Sequence, residues 1–195
     1  DMTLIDSHPG IAAVLGEINR LIDAQIDIPT VIERLGPPLD QLLAPWVSSN
    51  QMDRAIDLFR ALYPDHAITP SPELPGAHAA MQLVRDHGAQ IVVITGKFQS
   101  NAKLHLEHLQ LPYDVLRGAR WASGKTDALT QLQAEMYVGD HRADMQSAKA
   151  AGVLAVGVST GGTDATQLRD AGADLVLGSL TEFADWYVMS HNVLS

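Results

Sequence analysis

From Ile11 to Ile22 the apolar residues Ile11, Val14, Leu15, Ile18, Leu21 and Ile22 fall three and four positions apart, the spacing of one helical face. Further helical patterns run from Leu39 to Trp46 and from Gln51 to Tyr63, where Ile56, Phe59, Leu62 and Tyr63 are apolar. Arg34-Leu35-Gly36-Pro37-Pro38 reads as a rigid turn between helices. No strand-like alternation occurs before Ser71, and Ile68 to Gly76, with Pro70, Pro72, Pro75 and Gly76, reads as a linker. Beyond it the pattern changes. A helix over Ala77 to His87 stops at Gly88, and Ile91-Val92-Val93-Ile94-Thr95 reads as a buried strand. Then come a helix from Ser100 to Leu109, a short strand near Tyr113 to Leu116, a helix opened by Lys125 and a strand over Met136 to Val138. A helix bounded by Gly152, a strand over Val153 to Val158, a helix over Ala165 to Ala171 and a strand over Asp174 to Leu177 complete the series. Such alternation predicts an α/β fold, a doubly wound parallel sheet with a Rossmann-like core. Residues 1–10 and 76–195 are expected to make that core and residues 11–75 a small all-helical insertion, the alternative being the helical N-terminal half of one undivided domain.

The chemistry concentrates where Tyr137-Val138-Gly139-Asp140 hands over to the next helix. Asp140 and Asp144 lie four residues apart, where open parallel sheets bind ligands. Two carboxylates beside a glycine that permits close backbone approach suit a hard divalent cation such as Mg²⁺. The plainer alternative makes Asp140 a helix cap and Asp144 a solvated first-turn acid. Thr95-Gly96 ends a strand of consecutive apolar residues, and a hydroxyl with free amides there can hold a phosphate.

Composition narrows the field. The 195-residue chain is 46% hydrophobic, enough for one medium domain with a small insertion. A net charge of −10 with no basic cluster argues against nucleic acid or an anionic membrane surface as main partner. With no cysteine, disulfides, thiolate nucleophiles and thiolate-bound zinc are excluded. No apolar run approaches a membrane span, so a cytoplasmic location is the default expectation. Gly118 to Gly124-Lys125-Thr126 nearly matches a phosphate-binding loop, but has five intervening residues where that loop has four.

Four stretches are, in order and spacing, similar to the motifs of the haloacid dehalogenase superfamily of hydrolases, specifically its phosphoglycolate-phosphatase-like branch. They are Asp1-Met2-Thr3-Leu4-Ile5-Asp6-Ser7, Thr95-Gly96 after its strand, Ser123-Gly124-Lys125-Thr126, and Gly139-Asp140-x-x-x-Asp144 with Ala151-Gly152-Val153 and Gly157-Val158. That family's first motif reads Asp-x-Asp-Gly-Thr-Leu-x-Asp-Ser at the end of the central strand. Aligning Thr3-Leu4 and Asp6-Ser7 makes Asp1 its second aspartate, with Met2 in the place of glycine. The nucleophilic aspartate and its strand are then expected two residues before Asp1, in a longer chain. A second alignment makes Asp1 the nucleophile and puts Thr3 in second position. The first is preferred because Leu4, Asp6 and Ser7 all fall into place.

The resemblance implies a phosphomonoesterase acting on a small, phosphoglycolate-like metabolite through an aspartyl-phosphate. Asp1 would serve as acid and base, and its carbonyl with Asp140 would ligate Mg²⁺, Asp144 acting through water. Thr95, the Gly96 amide and Lys125 would hold the phosphoryl group, with Thr3 and Lys97 also placed at the phosphate. The helical insertion would be the family's cap, with Arg34 as its expected contact to an anionic substrate group. A monomer or homodimer is expected. Two rivals share the fold: a dehalogenase, against which Asp1 counts, and a non-catalytic phosphate-binding module. A phosphonate-cleaving Schiff base is disfavoured, because Lys97, Lys103, Lys125 and Lys149 all lie outside the cap. His105 and His108, three apart on a helix, have the spacing of metal ligands but read rather as a solvated helix face, and His141 beside Asp140 as a candidate substrate contact.

Overall fold

Pro9 in the first turn starts the leading helix earlier than the apolar spacing alone suggests, giving α1 as His8–Ile22. The computed structural model describes residues 1–192. Three more helices follow: α2 (Ile28–Glu33), α3 (Leu39–Leu43) and α4 (Ser49–His66). The expected helix over Leu39 to Trp46 is shorter, and the one over Gln51 to Tyr63 is longer at both ends, with Pro64 tolerated in its last turn. The short α2 was not expected. These helices share a core of their own, in which Val14, Leu15, Ile18, Val31, Leu43 and Tyr63 are fully buried. The chain enters and leaves this unit side by side. Asp6 N–H donates to Pro72 O at 2.9 Å, Leu74 N–H to Leu4 O at 2.9 Å, and Ile5 pairs antiparallel with Glu73.

The remainder alternates: α5 (Ala77–Asp86), β1 (Val92–Ile94), α6 (Gln99–His108), β2 (Val115–Arg117), α7 (Ser123–Gln131) and β3 (Met136–Gly139). Then come α8 (Arg142–Ala151), β4 (Leu154–Val158), α9 (Ala165–Asp170), β5 (Leu175–Leu177) and α10 (Phe183–Asn192). Each strand sends alternate side chains to opposite faces. Ala155, Tyr137, Ile94 and Val176 join one core, while Val156, Val138, Val93 and Leu177 join the other. Helices therefore cover both faces of an all-parallel arrangement, the doubly wound α/β fold expected.

The sheet is divided. Among the described residues β1 pairs with β2 alone, and β3–β4–β5 form a separate parallel group. The unpaired edges of β1 and β3 line one cavity of about 720 Å³, which runs from the core to the carboxyl ends of both strands. Among the described contacts, Tyr137 Oη reaches across the division to Ile94 O at 3.2 Å.

Candidate active site

Asp140 follows β3 directly, and α8 starts two residues later, after His141. His141, not Asp140, caps that helix: its Nδ1 accepts from Ala143 N–H at 3.1 Å, while Asp144 Oδ2 accepts from His141 N–H at 3.1 Å. Asp144 is thus held in the first turn and turned inward, 3% exposed, where Lys125 Nζ donates to its Oδ1. Lys125 comes from the first turn of α7 and lies over the rings of Trp121 and Tyr137. Gly139 has no alternative here. A Cβ on it would stand 2.5 Å from Asp144 Cβ and 2.6 Å from Asp144 Oδ2. Gly139→Ala is expected to displace the carboxylate from Lys125 and cost about 1–3 kcal/mol of stability, read from the urea midpoint.

Asp140 is buried and takes a 2.6 Å hydrogen bond from Thr3 Oγ1, so Thr3 meets Asp140 and joins the termini of the motif series. Gly161, after β4, makes room for it: a Cβ there would fall 2.1 Å from Asp140 Oδ2. Burial pushes the Asp140 carboxyl up to about 6, and the charge of Asp144 adds to the effect. Burial works against the Lys125 ammonium, yet Tyr137 and the Asp144 carboxylate outweigh it and hold its pKa above the usual lysine value.

Asp1 approaches from the other side, and its backbone nitrogen lies within electrostatic reach of Lys97, Asp140, Lys125 and Asp144. Its carboxylate pairs with Lys97 Nζ at 2.6 Å, and the Lys97 side chain is only 7% exposed. Lys97 N–H donates to Thr95 Oγ1 at 3.1 Å, and Thr95, Gly96 and Lys97 all line the cavity. Asp1, Thr3, Lys125, Asp140 and Asp144 line it as well. Arg34 does not: it is exposed at the C-cap of α2, outside the cavity. The neighbouring turn does reach the site, since Gly36, at φ +143°, lies so close to His141 that a Cβ would stand 2.8 Å from its ring. Arg60 of α4 is a helical-unit cation that lines the cavity, set over the Phe98 ring at 4.8 Å.

Sequence reasoning missed several members. Trp121 packs at a tilt against His141, ring centroids 5.3 Å apart, and Tyr63 of α4 presents its ring to Lys97 Nζ at 5.0 Å. His105 is the clearest correction. It is fully buried, not solvated, with Nε2 3.2 Å from Ser71 O and Nδ1 3.4 Å from both Tyr63 Oη and Lys97 Nζ. Ala102, His105, Leu106 and Leu109 share one helical face, a signal that would have placed it inside. Burial and the Lys97 charge lower its pKa from 6.5 to about 4. The unfolded chain therefore binds an extra proton between those values, and stability falls as pH drops through the window. Denaturant titrations at pH 7 and pH 4 are expected to show the wild type losing about 2 kcal/mol more than His105→Gln.

The site thus sets two buried lysines against three carboxylates. Lys125 is taken by Asp144 and Lys97 by Asp1, leaving Asp140 a buried carboxylate whose described hydrogen bond comes from a neutral hydroxyl. A buried carboxylate with no ion pair among the described contacts, and only longer-range help from the Asp1 nitrogen and Lys125, fits a hard cation held by oxygen. Both Asp144 oxygens are already occupied by donors, which fits an outer rather than a direct contact with such an ion. Among the described residues no three His, Cys, Asp or Glu side chains form a metal-binding group, so a cation here would draw on backbone oxygen, substrate or water.

Comparison with known proteins agrees with this layout. The family model described as haloacid dehalogenase-like hydrolase matches residues 1–158. The chain is 29% identical over 208 residues to a phosphoglycolate phosphatase of Neisseria meningitidis serogroup A, covering 93% of this chain and 88% of the relative. It is 27% identical over 209 residues to a phosphoglycolate phosphatase of Pseudomonas fluorescens, covering 92% and 74%. The solved structure of a haloacid dehalogenase-like family hydrolase from Streptococcus pneumoniae superposes with a TM-score of 0.81 at 21% identity, covering 95% and 93%. With the family model spanning most of its length and its motif residues gathered at one cavity, this chain belongs to the haloacid dehalogenase-like hydrolases.

Proposed function

We propose that this protein hydrolyses phosphomonoesters of small, phosphoglycolate-like metabolites with Mg²⁺, through an aspartyl-phosphate. The observation that carries this reading is the convergence of Lys97, Lys125, Thr95 and Asp140 on one cavity at the carboxyl ends of β1 and β3. Lys125 and the Thr95–Gly96 segment bind the phosphoryl oxygens, supplying charge where it develops in transfer. Asp1, steered by Lys97, donates a proton to the leaving alcohol and later withdraws one from water. Asp140 and the Asp1 carbonyl would hold Mg²⁺, with Asp144 behind. When bound, that ion offsets charge between nucleophile and phosphate. The helical unit, whose Gly36 turn and Tyr63 reach the cavity, acts as a cap that excludes water. The attacking carboxylate belongs to a strand placed in the division between β1 and β3. Two unpaired parallel edges facing one cavity support that placement, because buried backbone donors and acceptors need partners.

The test is phosphate release from p-nitrophenyl phosphate and 2-phosphoglycolate, with Mg²⁺ or with EDTA. It uses the 195-residue chain and the same chain extended before Asp1 by an apolar strand carrying Asp two positions ahead of it. Mg²⁺-dependent release only from the extended chain is expected. Release by the unextended chain would make Asp1 the nucleophile, and silence from both would favour a binding module.

A further inference from the structure

His105 has no part in the phosphoryl chemistry proposed above, yet it is fully buried beside it. Its neighbours come from separate parts of the chain. Tyr63 belongs to α4 of the helical unit, Ser71 to the segment that leaves that unit, and Lys97 to the loop after β1. The hydrogen-bond chemistry fixes the ring. A backbone carbonyl can only accept, so the nitrogen facing Ser71 O at 3.2 Å carries the proton. Nδ1 is then the lone-pair nitrogen. An ammonium can only donate, so Lys97 Nζ, 3.4 Å away, points an N–H at that lone pair, and the Tyr63 hydroxyl is a second donor at the same distance. The neutral Nε2–H imidazole gives Ser71 O its donor and offers one lone pair that Lys97 and Tyr63 share, whereas a charged ring would set one cation against another.

We infer that His105 is a positioning residue that ties the seating of the helical unit to the aim of Lys97: Nε2 holds the exit segment at Ser71, while Nδ1 and Tyr63 hold the Lys97 ammonium toward Asp1. The depressed pKa of the ring agrees with this arrangement. One Lys97 N–H goes to Asp1 at 2.6 Å and one to His105, and the third faces Tyr63 of α4. Moving α4 away would remove Tyr63 from both His105 and Lys97 and loosen the ammonium, so its aim depends on closure.

The experiment compares wild type, His105→Leu and His105→Gln by acetylation with a small amine-reactive ester, followed by peptide mass spectrometry. Lys103, 60% exposed, serves as the rate reference, and the buried Lys125 reports loss of fold. A hydrogen bond involving a charged group sets the scale, so Lys97 is expected to react about tenfold faster in His105→Leu. Glutamine offers both an amide donor and a carbonyl acceptor, and it is expected to restore protection. An unchanged Lys97 rate in His105→Leu with Lys125 still protected overturns the inference. If Lys125 also becomes reactive, the imidazole nitrogen spectrum of the wild type at pH 7 decides: a neutral Nε2–H ring supports the inference, and an Nδ1–H or charged ring overturns it. The inference rests on the phosphatase reading only for the role of Asp1, toward which Lys97 is held. Neither measurement needs turnover, so either idea can fail without the other.

Discussion

Lys125→Met is expected to lower stability by about 3–5 kcal/mol, because it strands a buried carboxylate. Asp144 is 3% exposed, and with Lys125 gone its Oδ1 keeps only the Tyr137 hydroxyl at 3.4 Å. Methionine fills the space beside Trp121 and Tyr137, so the loss reports charge more than volume. A second substitution separates the two. Adding Asp144→Asn removes the stranded charge and is expected to recover most of the stability in urea titrations, since paired deletion of a buried ion pair is far milder than removal of one partner. Phosphate binding, measured by calorimetry with inorganic phosphate and Mg²⁺, is expected to stay weak in both variants. A double variant that regained phosphate binding would show that Lys125 serves Asp144 alone.

Asp140→Asn is expected to move stability and function in opposite directions. Asparagine keeps the shape and can still accept from Thr3 Oγ1. It removes a carboxylate that burial and Asp144 have pushed up to about 6, and which is therefore ionised at an electrostatic cost at pH 7. Without divalent ions the variant is expected to melt at or above the wild type at pH 7. Adding Mg²⁺ at a hundred times its dissociation constant stabilises a binding protein by about 2.7 kcal/mol. That rise is expected in the wild type and absent from Asp140→Asn, and in the strand-extended chain turnover is expected to fall at least about 10²–10³-fold. Equal Mg²⁺ responses in the two proteins would move the cation elsewhere.

Local signals carried the alternating half of the chain and its motifs. Consecutive Val and Ile at Ile91–Ile94 and the Gly139-Asp140 strand end were legible because strand burial and glycine contacts show in neighbouring residues. What stayed hidden depends on contacts distant in sequence. Nothing near His105 reveals that Tyr63, 42 residues away, closes over it. Gly161 reads as half of an ordinary loop pair until Asp140 is placed against it. Arg34 stands out in the sequence as the cap cation beside the Gly36-Pro37-Pro38 turn; that turn does reach the site, but the position of Arg34 at the end of α2 leaves it exposed.

The most direct test of the central claim is an acid quench of the strand-extended chain during turnover of p-nitrophenyl phosphate with Mg²⁺, followed by peptide mapping. The expected result is one hydroxylamine-labile phosphoryl group on the aspartate two positions before Asp1. Phosphate release with no phosphorylated protein, or a phosphoryl group on any other side chain, would contradict it.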